Sequence, residues 1–289
     1  MPELPEVETT RRGIAPHLVG RRITSVIVRE ARLRWPVAPD LAAKIVGRTV
    51  MAIERRAKYL LLRLDRDGGT LLIHLGMSGS LRVLPTDAAA RLHDHVDVHF
   101  NGGQGEHGKR GGKLLRLHDP RRFGCLLHLA ESDAAGAGAP ARHQLLRDLG
   151  PEPLSTDFHG RHLTERARGR TAPVKCFLMD GAIVVGVGNI YANEALWRAG
   201  IHPRRAAGRV SAERFAQLAT AVKEVLAAAI EKGGTTLRDF VQADGQSGYF
   251  RIELAVYDRT GQPCPRCATA LRTARIGQRS AFFCPNCQR

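Results

Sequence analysis

Four of the chain's six cysteines stand in two pairs near one end, Cys264-Pro-Arg-Cys267 and Cys284-Pro-Asn-Cys287, with sixteen residues between them. That C-x2-C-x16-C-x2-C spacing is the spacing of a structural tetrahedral zinc site. Each pair delivers two thiolates to one side of an ion through a tight knuckle. Residues 271–276 and 280–283, between the pairs, have room for one β-hairpin. A module this small buries no core of its own, so one structural Zn2+ would supply its folding free energy. The alternative, redox pairs or free thiols, has no thioredoxin-like context to support it. Residues 262–289 carry five Arg and no Asp or Glu. A basic hairpin of this kind binds phosphate backbone. Arg279, at the turn side, is placed to reach a nucleic-acid groove; a solvated surface charge is the other reading. Cys125 and Cys176 fall outside the pattern and are expected as ordinary thiols.

The charge of the whole chain points the same way. Lys and Arg total 44 against 28 Asp and Glu, a formal net charge of +16. Such an excess speaks of polyanionic partners rather than of fold. Nothing in the sequence is long and apolar enough for a membrane span. The N-terminal Met1-Pro2-Glu3-Leu4-Pro5-Glu6 lacks the apolar region of a signal peptide, so a cytoplasmic protein is expected. The cysteines do not form a scattered disulfide framework.

Along the chain, apolar periodicity gives a helix first, then strands, then helices. Pro5 suits a helix start, Val7, Ile14 and Leu18 share a helical face, and Pro16 and Gly20 mark its end. Residues 23–28 are strand-like. Short apolar runs follow at Tyr59–Leu64, 71–75, 81–84, 96–100, 114–117 and Cys125–Leu129, as in an antiparallel sandwich or barrel. Residues 101–112 read as a Gly-rich basic loop and residues 133–140 as a linker. Helices are then expected at 142–149, 155–166, Asn189–Arg198 and 211–232. The last opens on Ser211 and carries the apolar stripe Phe215, Leu218, Val222, Val225, Leu226 and Ile230.

Pro2-Glu3-Leu4-Pro5-Glu6-Val7-Glu8, Lys58-Tyr59-Leu60-Leu61, His74-Leu75-Gly76-Met77-Ser78-Gly79, Asp119-Pro120-Arg121-Arg122-Phe123-Gly124 and Val185-Gly186-Val187-Gly188-Asn189-Ile190-Tyr191 resemble the sequence blocks of the formamidopyrimidine-DNA glycosylase family. Gly233-Gly234-Thr235-Thr236, Gly248-Tyr249-Phe250 and the cysteine pattern match as well, and the blocks fall in family order along the whole chain. The resemblance implies an α+β chain of two domains. An N-terminal antiparallel β-sandwich with a flanking helix would span residues 1–132 and the linker 133–140. A helical helix-two-turn-helix domain would occupy 141–235, a lesion-recognition loop with connecting strands 236–261, and the β-hairpin zinc finger 262–289. DNA would lie in the cleft between the domains. Leu4 and the Arg121-Arg122-Phe123 block favour the branch specific for oxidised purines over the endonuclease VIII group.

The resemblance also implies a chemistry. Pro2, exposed by removal of Met1, would be the nucleophile: a secondary amine attacking the sugar C1′ and forming an iminium. An α-amine with a pKa near 8 is far easier to deprotonate than a lysine near 10.4. Glu3 would be the general acid/base, worth roughly 10²–10⁴-fold, although a carboxylate there also suits a helix N-terminus. Lys58 would contact the phosphate beside the lesion, and Arg279 joins this catalytic set. Ala57 departs from the small Gly usual before that lysine. Met77, Arg121 and Phe123 would fill the hole left by the flipped base, Arg121 facing the orphaned cytosine; ordinary core packing is the alternative for Met77 and Phe123. Asn189 at a helix start would hold a phosphate, or simply cap the helix, and Lys175 would touch the backbone. Residues 235–250 correspond to the loop over the flipped purine. The partner is double-stranded DNA with oxidised bases or abasic sites, bound by a monomer on the bacterial nucleoid. An endonuclease VIII-like enzyme for oxidised pyrimidines and a non-catalytic DNA-binding zinc protein stand as the alternatives.

Overall fold

The computed structural model describes residues 2–102, 112–130, 143–233 and 254–289. They form two compact units, one running from the N-terminus to Arg147, the other holding Asp148–Lys232 and the cysteine-rich end. Most of the basic loop, the linker at 133–140 and the loop at 235–250 lie outside the described residues.

The first unit opens with helix α1 (Leu4–Leu18), capped by Glu3, with Pro5 in its first turn where no N–H is needed. The helix runs past Pro16 to end at Leu18, which is fully buried. Gly20, at φ +78°, turns the chain out. Then come β1 (Ile23–Val28), the short α2 (Leu41–Ile45), β2 (Val50–Arg56), β3 (Tyr59–Leu64), β4 (Thr70–His74), β5 (Ser80–Pro85), β6 (Asp94–Phe100), β7 (Lys113–His118) and β8 (Cys125–Leu129). The strands make two antiparallel four-stranded sheets, β1-β6-β7-β5 and β2-β3-β4-β8. Leu60 and Ile73 of one sheet, Val98 and Leu115 of the other, and Ile14 and Leu18 of α1 belong to one buried cluster, which makes this unit a sandwich with a flanking helix.

A buried ionic layer covers the far face of the first sheet. Asp97 lies opposite Arg116 in the β6–β7 register, and Arg116 gives it two hydrogen bonds of 2.8 Å. Arg29 adds a third at 2.7 Å, and Asp94 pairs with Arg82 at 2.8 Å. Each buried charge thus meets its opposite, without which its desolvation would cost several kcal/mol.

The second unit holds α3 (Gly160–Ala167), α4 (Val174–Leu178), α5 (Asn189–Arg198), α6 (Ala212–Glu231) and the hairpin β9 (Arg272–Ile276) and β10 (Arg279–Phe283). The Ser211 hydroxyl accepts from the Arg214 N–H at 3.4 Å, and the apolar stripe of α6 is buried as its periodicity predicts. Helix α3 starts five residues later than that pattern suggests. Gly160 opens it, and a Cβ there would stand 2.6 Å from the Ala216 Cα on α6. Residues 143–149 form turns rather than a helix.

The cysteine module is not left to its metal alone. The Glu194 carboxylate of α5 accepts from the N–H groups of Ala255, Val256 and Tyr257, each at 2.9 Å. Asn193 accepts from the Phe282 N–H at 2.9 Å, and Gln288 donates to the Ile201 carbonyl at 2.9 Å. Trp197, Val256, Leu271 and Phe282 form a small core with Cys264 and Cys284. No described helix is long and apolar enough to cross a membrane.

Candidate functional site

In the first unit, Pro2 and Glu3 are buried at the head of α1. A capping box joins the first turn: the Glu3 N–H donates to the Glu6 carboxylate at 2.8 Å, and the Glu3 side chain accepts in return. Glu3 therefore occupies the helix-start position, and Glu6 completes its cap. Glu8 does something different. Arg11, Arg12 and Arg55 surround it at 2.8, 2.9 and 3.2 Å. Burial pushes its carboxyl up, but the hydrogen bonds from Arg11 and Arg12 outweigh this and hold it below its ordinary value.

That cluster reaches Lys58. Arg55 also donates to the Ala57 carbonyl at 2.9 Å, and Ala57-Lys58 is the two-residue turn between β2 and β3. One guanidinium thus ties the Lys58 turn to the helix that begins at Glu3. Ala57 sits at φ +55°, a left-handed conformation that glycine takes without penalty. The departure from glycine noted in the sequence falls where backbone strain makes it matter. His74 neighbours the same turn. Its ring lies 5.0 Å from Tyr59, and its Nδ1 accepts from the Gly76 N–H at 3.0 Å. Burial, helped by the charges of Lys58 and Arg34, pushes it down to about 4, so it is neutral at physiological pH.

Met77, Arg121 and Phe123 lie on two neighbouring loops. One links β4 to β5 and the other β7 to β8, and both pass from one sheet to the other. The pairings Ser80↔His118 and His74↔Cys125 set the loops side by side. Phe123 is 42% exposed, unusual for an aromatic with a core beneath it, and the Arg121 guanidinium lies 4.8 Å from its ring centre. Arg122, at φ +55°, turns the chain between them and reaches Glu30 at 3.3 Å. Met77 is half-buried. The Phe123 ring thus stands out from the core with a cation against it, on the loop next to the one that carries Met77.

In the second unit, Asn189 is the first residue of α5. Its Oδ1 is buried without a hydrogen-bond partner among the described residues. Turned end for end, the same amide presents a donor there. Arg279 is exposed at the start of β10, just after the turn Gly277-Gln278, whose residues have φ +55° and +61°. Lys175, expected to touch the DNA backbone, is bonded within this unit. It is 1% exposed, and its ammonium donates to the Ser280 carbonyl, one residue beyond Arg279, at 2.6 Å. Nothing local in the sequence signals this, because the partner is a main-chain oxygen 105 residues away.

Cys264, Cys267, Cys284 and Cys287 place their sulfurs within 4.8 Å of one another. The 264–287, 267–284 and 267–287 separations are 3.9, 3.5 and 3.3 Å. A tetrahedron with Zn–S bonds of about 2.3 Å has edges of about 3.8 Å, so the donor set fits zinc. The Trp197 indole N–H points at the Cys264 sulfur at 3.4 Å, and Arg266 stacks 4.3 Å over the same indole.

Residues 1–126 match the family described as Formamidopyrimidine-DNA glycosylase N-terminal domain, residues 149–241 the Formamidopyrimidine-DNA glycosylase H2TH domain, and residues 261–289 a zinc finger found in FPG and IleRS. Over all 289 residues of both chains the sequence is 56% identical to the formamidopyrimidine-DNA glycosylase of Stenotrophomonas maltophilia. The structure is similar to that of wild-type Lactococcus lactis Fpg in complex with DNA containing N7-benzyl-Fapy-dG, with TM-score 0.86, 32% identity and all of both chains covered. It is also similar to MutM (Fpg) of Thermus thermophilus, with TM-score 0.82, 37% identity, and 99% of this chain and 98% of that one covered. The zinc-finger match and the donor set together assign one structural zinc to the four cysteines.

Proposed function

From the premise that the chain belongs to the formamidopyrimidine-DNA glycosylase family, we propose that it excises oxidised purines from duplex DNA, 8-oxoguanine and formamidopyrimidines among them, and then cuts the strand at the abasic site. Two neighbouring loops bear Met77, Arg121 and Phe123 on the same unit as the Pro2-Glu3 helix head, and this supports the reading. A flipping enzyme must open the stack and must also hold a nucleophile, and this unit holds candidates for both. With Met1 removed, the Pro2 amine attacks C1′ and the damaged base leaves with its bonding electrons. Glu3 donates a proton to the sugar ring oxygen as the ring opens to the iminium. The iminium acidifies C2′, and loss of that proton expels the 3′ phosphate; loss of the C4′ proton then expels the 5′ phosphate by δ-elimination, and water hydrolyses the conjugated iminium to free Pro2.

Lys58 holds the phosphate beside the lesion, Asn189 and Arg279 hold further backbone, and Met77, Arg121 and Phe123 take the vacated space. Zinc fixes the fold of the hairpin that presents Arg279 and takes no part in bond making. The protein works as a monomer in the cytoplasm, on the nucleoid.

A substrate panel tests the function. Duplexes with 8-oxoguanine or a formamidopyrimidine opposite cytosine should be cut with both phosphates left behind, while oxidised pyrimidines are cut much more slowly. Faster cutting of the pyrimidines would assign the endonuclease VIII-like specificity. Binding without any cutting would leave a DNA-binding zinc protein.

A further inference from the structure

The two wedge loops are held together by one side chain. Asp119 is fully buried. Its Oδ2 accepts from the Gly124 N–H at 2.8 Å, next to Phe123, and its Oδ1 accepts from the Ser78 hydroxyl at 3.2 Å, next to Met77. Its own backbone is pinned as well. Its N–H donates to the His93 carbonyl at 3.0 Å, and its carbonyl meets His95 Nε2 at 2.8 Å and accepts from the Arg122 N–H at 3.1 Å. The loops also touch backbone to backbone. A Cβ on Gly76, at φ +63°, would lie 2.5 Å from the Gly124 nitrogen, and one on Gly124 would lie 2.6 Å from the His74 carbonyl. Two loops that arrive from different strand pairs are thus locked at their bases, while their tips carry Met77, Arg121 and Phe123.

We propose that Asp119 is a positioning residue, a carboxylate clip that makes the Met77 tip and the Arg121-Phe123 tip one rigid wedge. The inference rests on the reading of these three side chains as fillers of the flipped-base space. Separately hinged tips would each have to be ordered when the base leaves the stack. A clipped pair is ordered in advance, so binding energy goes to opening the duplex rather than to fixing loops. The geometry also explains why the block needs Asp at its head and Gly at its end. The carboxylate takes both donors at once, one on each oxygen, and at Gly124 only glycine admits the neighbouring strand so closely.

The test uses the zinc-loaded full-length enzyme and an 8-oxoguanine:cytosine duplex with 2-aminopurine beside the lesion, whose fluorescence reports unstacking. Asp119→Ala should lose about a hundredfold in base excision, the scale of losing charge-assisted hydrogen bonds that orient a reacting group. It should also lose the unstacking signal, and cleavage of a preformed abasic site, where no base has to leave the stack, should suffer much less. Asp119→Asn should recover to within about tenfold of wild type, because the amide oxygen can take the Gly124 N–H and its NH2 can donate to Ser78. A purely structural role would lower excision and abasic cleavage in the same proportion and leave the unstacking amplitude per folded molecule unchanged; that result overturns the proposal. Met77→Ala and Phe123→Ala are measured alongside. If they weaken unstacking while Asp119→Ala does not, the clip alone is refuted. If they too leave unstacking and excision at wild-type levels, the wedge assignment fails and the clip falls with it.

Discussion

Replacing Lys175 with Met separates a buried tether from a phosphate contact. The ammonium is 1% exposed and gives the Ser280 carbonyl a 2.6 Å hydrogen bond, next to Arg279. Met keeps the length of the stem and removes the donor. The Ser280 oxygen then loses its charged partner, a loss of about 1.5–3 kcal/mol for a hydrogen bond to a charged group. Part of this is offset, because a buried ammonium no longer has to be desolvated. A net loss of about 2 kcal/mol is expected, equivalent to a fall in Tm of about 4–8 °C in a chain of this size. Lys175→Arg should do no better, because the larger head overpacks a closed site at about 1–3 kcal/mol. The assays are thermal unfolding of the DNA-free, zinc-loaded protein and the salt dependence of duplex binding. A direct phosphate contact predicts the reverse pattern: an unchanged Tm in Lys175→Met, a salt slope shallower by about 0.9, and rescue by Arg. That pattern would refute the tether and return Lys175 to the DNA surface.

Other perturbations have equally definite outcomes. Glu3→Gln keeps an acceptor for the capping box, so the Tm should move little, while base release falls by at least about a hundredfold; wild-type excision would remove Glu3 from the chemistry. Trp197→Phe deletes the 3.4 Å N–H···S contact to Cys264 and should weaken zinc retention by about 10–100-fold in chelator competition. An unchanged release curve would show that the contact carries no weight. His74, held at about 4 against an ordinary 6.5, stays neutral in the fold after the unfolded chain has begun to take up a proton. Stability should therefore drain away as pH falls from about 6.5 toward about 4, by on the order of 2–3 kcal/mol. Denaturant titrations of His74→Gln should lose much of that slope; an identical pH dependence would assign the effect elsewhere.

The parts of the fold that show in the sequence are those whose signals are local. The zinc ligands announce themselves by spacing, α5 by its glycine-rich turn, and α6 by its cap and stripe. Strand β2 went unread because its burial alternates imperfectly and it ends in Glu54-Arg55-Arg56, which looks like solvent-facing chain. Of those charges Arg55 belongs to the clamp on Glu8 and the Lys58 turn, while Glu54 pairs with Arg63 at 2.9 Å. Helices α2 and α4 are too short for a helical period to show. The buried rows Arg116–Asp97 and Arg82–Asp94 depend on strand register, which hydropathy does not encode. The candidate site positions were named through the resemblance. Their supports, Asp119 beneath the wedge and Lys175 beneath the hairpin, were not, because each acts through partners far away in sequence.

If Pro2 is the nucleophile that releases an oxidised purine, borohydride traps the sugar on its nitrogen. The zinc-loaded protein, confirmed by mass to lack Met1, is incubated with borohydride and a duplex bearing 8-oxoguanine opposite cytosine, and the adduct is mapped by mass spectrometry. A reduced sugar fragment on the Pro2 nitrogen is the predicted result. An adduct on a lysine such as Lys58, or neither adduct nor strand cleavage from folded protein, would contradict it.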